Sequence, residues 1–314
     1  MNAAIYGFLV SAHHKGVEVY AAVDGYRGLV HGEFRKLCPR EFKKNVYLSG
    51  TAIGSSRCLE FKDSKVREDA VENLRKNGFD GLFVIGGDGS YMGAHLVSEL
   101  SFNVIAAPGT IDNDVGSSKY TIGYFSALEE ILNAVKKIRS TSESHSQVTF
   151  VEAMGRHCHD LTVAAAVAGA VDYVITGERP IGVSALIEVI KEMIKSGKKG
   201  IVILVTEKLF GEQHGFGLPS LPELCVSIEK EVKRQVRCNI IGYTQRGAFP
   251  TSWDLFVSQQ FGMKAFQMME GGRFGCAIGF DGVGFYDTPL KEAVNQKNSM
   301  SVELIDFVNR SYKI

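Results

Sequence analysis

The sequence predicts an α/β protein built on open, mainly parallel sheets flanked by helices. Three observations predict it. Short apolar runs alternate along the chain with amphipathic stretches of helical spacing. The C-terminal end of each apolar run meets a glycine or a polar turn, as in sheets that gather ligands at their strand ends. With 45% apolar residues, the 314-residue chain has enough core for one large domain or two of ordinary size.

The elements follow in order. Met1 to Ala12 is nearly uncharged, and the first lysine is Lys15, so the basic region of a secretory signal is missing. The stretch reads as a buried helix with Asn2 as N-cap and Ile5, Phe8 and Leu9 on one face. Strands are expected at 17–22, 81–85, 104–107, 147–152, 173–176, 200–206 and 239–242. Helices are expected at 65–77, 91–100, 124–139, 161–168, 184–196, 221–237 and 255–271, with a loop at 208–222. No apolar run approaches the roughly 18 residues of a membrane helix. Lys plus Arg and Asp plus Glu are 35 each, for a net charge of zero. That balance argues against a nucleic-acid or anionic-membrane binder and leaves room for a local cationic pocket. The six cysteines include no Cys-x-x-Cys, which predicts core thiols and a reducing cytoplasm rather than a disulfide framework or zinc ribbon.

Four motifs carry chemistry. In the first, the run ending at Ile85 enters Gly86-Gly87-Asp88-Gly89-Ser90 and then a helix. Glycines admit backbone N–H groups close to a phosphate, and the helix N-terminus adds its dipole. Asp88 suits Mg²⁺, which takes a carboxylate together with phosphate oxygens. The bland reading is a plain turn with Ser90 as N-cap. The second is Pro108-Gly109-Thr110-Ile111-Asp112-Asn113-Asp114. One carboxylate there can accept a proton from an attacking hydroxyl while the other orients the site, or the segment is an Asx-rich turn. The third is Glu152-Ala153-Met154-Gly155-Arg156, and the fourth is Gly242-Tyr243-Thr244-Gln245-Arg246-Gly247, preceded by Arg237. Arginines beside glycine turns match phosphate geometry, or else they are solvated surface residues. His157-Cys158-His159-Asp160 is not read as a metal site, because adjacent ligands cannot all converge on one ion.

In this order, the motifs resemble the bacterial-type ATP-dependent 6-phosphofructokinase family, with the resemblance running from Met1 almost to the C-terminus. A lone Gly-Gly-Asp-Gly also fits NAD kinases and lipid kinases, which lack the Thr-Ile-Asp-Asn-Asp block. The resemblance implies a two-domain phosphofructokinase-like α/β fold. Its nucleotide-binding domain would be 1–122 plus 244–294 and its sugar-phosphate-binding domain 123–243 plus 295–314, with the active site in the cleft. It implies transfer of phosphate from ATP, with Mg²⁺, to fructose 6-phosphate in glycolysis. Asp112 would be the base, supported by Thr110 and Asp114. Gly87, Asp88, Gly89 and Ser90 would line ATP, with Asp88 on the metal, Arg57 near the phosphates and Cys58 near adenine. Thr110, Ile111, Asp112, Met154, Gly155, Arg156, Glu207, Arg237, Tyr243 and Arg246 would hold the sugar phosphate. Arg237 would reach in from a neighbouring subunit of a cytoplasmic, allosteric homotetramer, and Arg139, Asp172 and Lys198 would belong to an effector site. Pyrophosphate-dependent relatives carry Asp and Lys where this chain has Gly89 and Gly109, so ATP is expected as donor.

The departures from the family pattern are specific. The family's first strand and Gly-rich nucleotide loop precede the position of Met1, and this chain is expected to lack them. Gln147 and Tyr243 stand where a phosphate-binding Arg and His are expected. Cys58 replaces a Phe, His159 a Gly, and Tyr6 and Val10 two effector-site arginines. These substitutions keep two alternatives in view: a catalytically impaired or regulatory paralogue, and a kinase for another sugar phosphate.

Overall fold

A parallel strand covered by helices on both faces must be apolar at every position rather than at alternate ones. Residues 104–107 and 201–206 meet that demand. In the computed structural model, which describes residues 1–210, 220–298 and 301–313, both become fully buried strands. The chain forms two units, Met1–Ser126 with Phe249–Lys297, and Ala127–Ala248 with Asn298–Ile314.

The first unit holds a four-stranded sheet of order β10-β9-β4-β3. Strands β3 (Leu82–Gly86), β4 (Val104–Pro108) and β9 (Cys276–Phe280) run parallel, and β10 (Phe285–Pro289) returns antiparallel on β9. Side chains of β4 alternate between two cores. Val104 and Ala106 join Ala70, Val71 and Leu74 of α4 (Ser64–Lys76) and Tyr91, Ala94 and Val97 of α5 (Asp88–Glu99). Ile105 and Ala107 join Ala4 of α1 (Asn2–His14) and Val257, Phe261 and Ala265 of α10 (Ser252–Glu270). Helix α4 starts where the Asp63 carboxylate accepts from the N–H groups of Lys65 and Val66, at 2.7 and 3.3 Å. A two-stranded pair, β1 (Tyr20–Ala22) and β2 (Phe34–Lys36), brackets α2 (Tyr26–His31). Two short helices, α3 (Pro39–Phe42) and α11 (Leu290–Ala293), complete the unit.

The second unit is built on an all-parallel sheet of order β6-β7-β5-β8. Its strands are β5 (Val148–Ala153), β6 (Tyr173–Ile175), β7 (Ile201–Thr206) and β8 (Val236–Ile240). Helices α8 (Val183–Lys195) and α9 (Leu221–Val232) lay Leu186, Ile190, Met193, Leu224 and Ile228 against Phe150, Ile203 and Val205. Helix α6 (Tyr124–His145) carries the chain into this unit, where α7 (Asp160–Ala168) and α12 (Val302–Ser311) complete it. The edge of β6 is closed by a side chain. Asn309 accepts from the Val174 N–H at 2.8 Å and donates to its carbonyl at 2.9 Å.

Several sequence expectations need correction. Met1, not Asn2, occupies the N-cap of α1. The Asn2 amide instead donates to the Leu48 and Gly50 carbonyls and accepts from the Ala52 N–H, pinning a distant loop. The strand expected at 17–22 shrinks to Tyr20–Ala22. The helix expected at 221–237 stops at Val232, where Lys233 turns left-handed at φ 52°, and Val236–Ile240 is a strand. The expected strand at 239–242 therefore lies earlier, and Gly242 opens a 3₁₀ turn. Cys158, Cys225 and Cys276 are buried and Cys58 and Cys238 half-buried, but Cys38 is exposed rather than in the core. Within the expected loop at 208–222, residues 211–219 lie outside the described residues.

Helices α1 and α10 touch backbone to backbone. A Cβ on Gly7 would lie 2.1 Å from the Gln259 carbonyl oxygen, and one on Gly262 only 1.9 Å from that of Ala4. Alanine normally favours a helix interior over glycine by about 1 kcal/mol. Here the clash reverses the sign. Gly7→Ala and Gly262→Ala should each destabilise the protein by roughly 1–3 kcal/mol, read from urea or thermal unfolding.

Candidate active site

Strands β3 and β4 end level with each other, Gly86 opposite Pro108. Both chemistry-bearing loops therefore leave the same sheet edge. The Gly109 N–H donates to the Gly86 carbonyl at 2.9 Å, extending the contact one step past the strands. A Cβ on Gly109 would meet Ile85 Cγ2 at 2.7 Å and the Gly86 nitrogen at 3.0 Å, so only glycine closes this approach without displacement. A Cβ on Gly87 would stand 3.5 Å from the Thr110 Cβ, which places the two loops side by side.

Helix α5 begins at Asp88, with Gly87 as its N-cap, three residues earlier than the sequence predicted. Ser90 is thus inside the helix rather than its cap, and its N–H and that of Tyr91 donate to the Gly87 carbonyl at 2.9 and 3.0 Å. Asp88 and Gly89 lie in the first turn, where the helix dipole favours an anion. The Gly89 Cβ position is open, with no atom other than those of its chain neighbours and its own helix backbone within 4 Å. Asp88, 40% exposed at its side chain, is ion-paired with Lys297. Tyr26 braces the turn by donating to the Ser90 carbonyl at 2.6 Å, and burial pushes its phenol above the usual range.

The acidic loop is held from within. Asp112, only 2% exposed, donates its N–H to Thr110 Oγ1 at 3.1 Å. Asn113 adopts φ 53°, accepts from the Thr121 N–H at 3.0 Å and donates to the Lys119 carbonyl at 3.1 Å. The Thr121 hydroxyl donates to the Thr110 carbonyl at 2.6 Å. Ile111 and Asp114 are half-buried in the same loop. Arg57 is exposed and Cys58 half-buried on a segment tied to the turn before α2, where Ser56 donates to the Asp24 carbonyl at 3.2 Å. For a hard cation the oxygen donors here fit. Asp88 is accessible at a phosphate-favouring turn, and Mg²⁺ binds through one or two carboxylates plus phosphate oxygens. Among the described residues there is no cluster of three or more ligating side chains.

In the second unit, strands β5 and β7 also end together, with Ala153 opposite Thr206. Glu207 Oε1 accepts from the N–H groups of Gly155 and Arg156 at 3.0 and 2.6 Å. Arg156 sits at φ 55° with an exposed side chain. Gln245, fully buried, accepts from the Met154 N–H at 2.9 Å and donates to its carbonyl at 3.1 Å. Met154, Gly155, Arg156 and Glu207 are therefore brought together, with the 242–247 turn clamped to them. Tyr243, 85% exposed, and Arg246 lie on that turn's outer side. Arg237 is half-exposed on edge strand β8, with NH1 4.0 Å from Glu229. Arg139, Asp172 and Lys198 gather separately, at the opposite end of the sheet. Lys198 pairs with Asp172 at 2.6 Å, and Arg139 donates to the Gly169 and Ala170 carbonyls. His159 occupies the N-cap position of α7 without a side-chain capping bond, and its Nε2 lies 3.4 Å from Glu178.

Sequence reasoning assigned no role to Gln245, Asn113 or Lys297. Gln245 and Asn113 stood inside motifs already singled out, and each does the backbone holding within its loop. No local signal marks Lys297, which lies 209 residues from its partner.

The sequence profile of the family described as Phosphofructokinase matches residues 1–269. The chain is 39% identical over 313 residues to the ATP-dependent 6-phosphofructokinase of Photobacterium profundum, covering 99% of this chain and 95% of that one. It is 40% identical over 307 residues to the enzyme of the same name from Edwardsiella ictaluri, covering 98% and 93%. The T-state crystal structure of Pichia pastoris phosphofructokinase superimposes with a TM-score of 0.86 at 30% identity. That match covers 94% of this chain, which spans about a third (34%) of the Pichia chain. The pyrophosphate-dependent phosphofructokinase of Marinobacter aquaeolei shares the fold, with a TM-score of 0.87 at 20% identity, covering 99% and 86%.

The carboxylates beside the β5–β7 turn set a pH dependence. Burial, and then the nearby Glu207 charge, raise the Glu152 carboxyl above its ordinary value of 4.5. The folded state thus binds the proton more tightly than the unfolded one, so stability falls as pH rises from 4.5 through the raised value. Glu152→Gln should melt higher than the wild type at pH 7, with the gap closing below pH 4.5 in a thermal series.

Proposed function

The chain belongs to the phosphofructokinase family, and we propose that it transfers the γ-phosphoryl group of ATP to the 1-hydroxyl of fructose 6-phosphate. The observation that carries this reading is the level ending of β3 and β4. It sets a phosphate-favouring helix start with Asp88 beside a buried acidic loop with Asp112. Asp112 accepts the hydroxyl proton as the sugar oxygen attacks the γ-phosphorus and the bond to the bridging oxygen breaks. Thr110 holds the Asp112 backbone, and Asp114 lies two residues on in the same loop. The first turn of α5, from Gly87 to Ser90, faces the donor phosphates, with Arg57 near those phosphates and Cys58 near adenine. Asp88 would hold Mg²⁺, which would supply positive charge at the transferring phosphate. In the second unit, Met154, Gly155, Arg156 and Glu207 take the sugar, while Tyr243 and Arg246 line its phosphate.

Three further assignments belong to the same reading. Arg237, solvent-facing on an edge strand, serves a neighbouring copy in a homotetramer. Arg139, Asp172 and Lys198 form an effector site. The protein works in the cytoplasm, and among the described residues no helix is long and apolar enough to cross a membrane.

Asp112→Asn keeps the shape of the side chain and removes the base. It should lower kcat by roughly 100-fold or more with a smaller change in KM, measured in a coupled fructose 1,6-bisphosphate assay. Wild-type-like turnover in the variant would reject the assignment. A wild type without turnover would place the chain among impaired or regulatory paralogues.

Donor choice turns on residue 89. Its Cβ position is open, so Gly89→Asp adds a carboxylate without a steric clash. The wild type should turn over ATP faster than pyrophosphate. Gly89→Asp should cut kcat/KM for ATP by about tenfold or more through repulsion of the nucleotide phosphates. Faster turnover of the wild type with pyrophosphate would reverse the donor assignment.

A further inference from the structure

Gln296-Lys297 touches both acidic loops of the first unit, each in a different way. The Gly116 N–H, at the end of the loop that carries Asp112 and Asp114, donates to the Gln296 carbonyl at 3.1 Å. The backbones are in close contact there, since a Cβ on Gly116 would lie 2.4 Å from the Lys297 nitrogen and 2.5 Å from the Gln296 carbonyl carbon. From this anchored backbone the Lys297 ammonium reaches the Asp88 carboxylate. Just upstream, Leu290 and Ala293 of α11 share the core with Tyr91 and Ala94 of α5, so the segment bearing the lysine is packed against the helix bearing the aspartate.

We propose that Lys297 is a positioning residue for Asp88: it holds the carboxylate over the first turn of α5 and is the charge that a divalent cation displaces from it. The inference rests on the assignment of Asp88 to the metal made above. An uncompensated carboxylate at that turn would repel the same phosphates the helix dipole attracts. A contacting ammonium cancels that repulsion. A dication and an ammonium on one carboxylate repel each other, and the doubly charged ion is held more strongly. Lys297 therefore competes with the metal for Asp88. Removing its charge should tighten metal binding, whereas mere loss of structure would weaken it.

The test is Mn²⁺ binding in the presence of ADP, followed by loss of the free-ion EPR signal, so no turnover is involved. Lys297→Met and Lys297→Gln should each bind Mn²⁺ about two- to fivefold more tightly, the range of an exposed ion pair. Lys297→Arg, which keeps the charge, should stay near the wild type. Unchanged or weaker binding in both uncharged variants would overturn the inference. Asp88→Asn separates the two claims. If it binds Mn²⁺ like the wild type, the metal assignment of Asp88 fails and this inference with it. If it binds more weakly while the Lys297 variants do not differ from the wild type, only the role of Lys297 is rejected.

Discussion

The first unit depends on the parallel register of β3 and β4. With Gly86 opposite Pro108, the two strands stop at one level, and the Gly109 N–H continues the ladder onto the Gly86 carbonyl. The loops that follow start in backbone contact because Gly109 carries no side chain to meet Ile85 and the Gly86 backbone. Slipping the register by one residue would turn Ile105 and Ala107 toward the α4–α5 core and Val104 and Ala106 toward α1 and α10. The packing of both cores thus fixes the register, and the register fixes which loop residues meet. The site geometry is a by-product of burying the strand on both faces.

The second unit extends its ladder in the same way, the Glu207 N–H donating to the Ala153 carbonyl at 2.9 Å, and adds side chains to it. Gln245, fully buried, occupies both backbone groups of Met154, and Glu207 takes the next two N–H groups. Between them they satisfy a turn in which Arg156 has a left-handed backbone, a conformation that costs free energy unless its surroundings hold it. A neutral amide serves where burial is complete, and a carboxylate where the turn opens toward solvent.

Charge is gathered locally within each unit. The chain as a whole is neutral, with 35 cationic and 35 anionic side chains. The loops after β3 and β4 gather carboxylates, while the turns at 154–156 and 242–247 and strand β8 carry arginines. Net charge therefore says little here, and local placement governs the chemistry.

The sequence by itself determined the α/β class, the strands that end in functional turns and the motifs those turns carry. Each of these is a local pattern: an unbroken apolar run, a glycine pair, carboxylates two residues apart. It misread elements whose limits are set from a distance. Helical spacing continues past Val232, and no glycine announces the left-handed turn at Lys233, so Arg237 seemed helical until strand pairing with β5 claimed it. Strand β9, with Gly279 inside it, and helix α12 were not expected at all. They gain their stability from neighbours far along the chain. Asn2 looked like a cap because an Asn at a helix start usually is one, yet its partners are the backbone groups of residues 48–52. Tertiary structure alone decided that Asp88 opens α5, that Gln245 and Glu207 hold one turn, and that Lys297 meets Asp88 across 209 residues. Those contacts depend on how strands stack and which cores they share, and no window of local sequence contains that information.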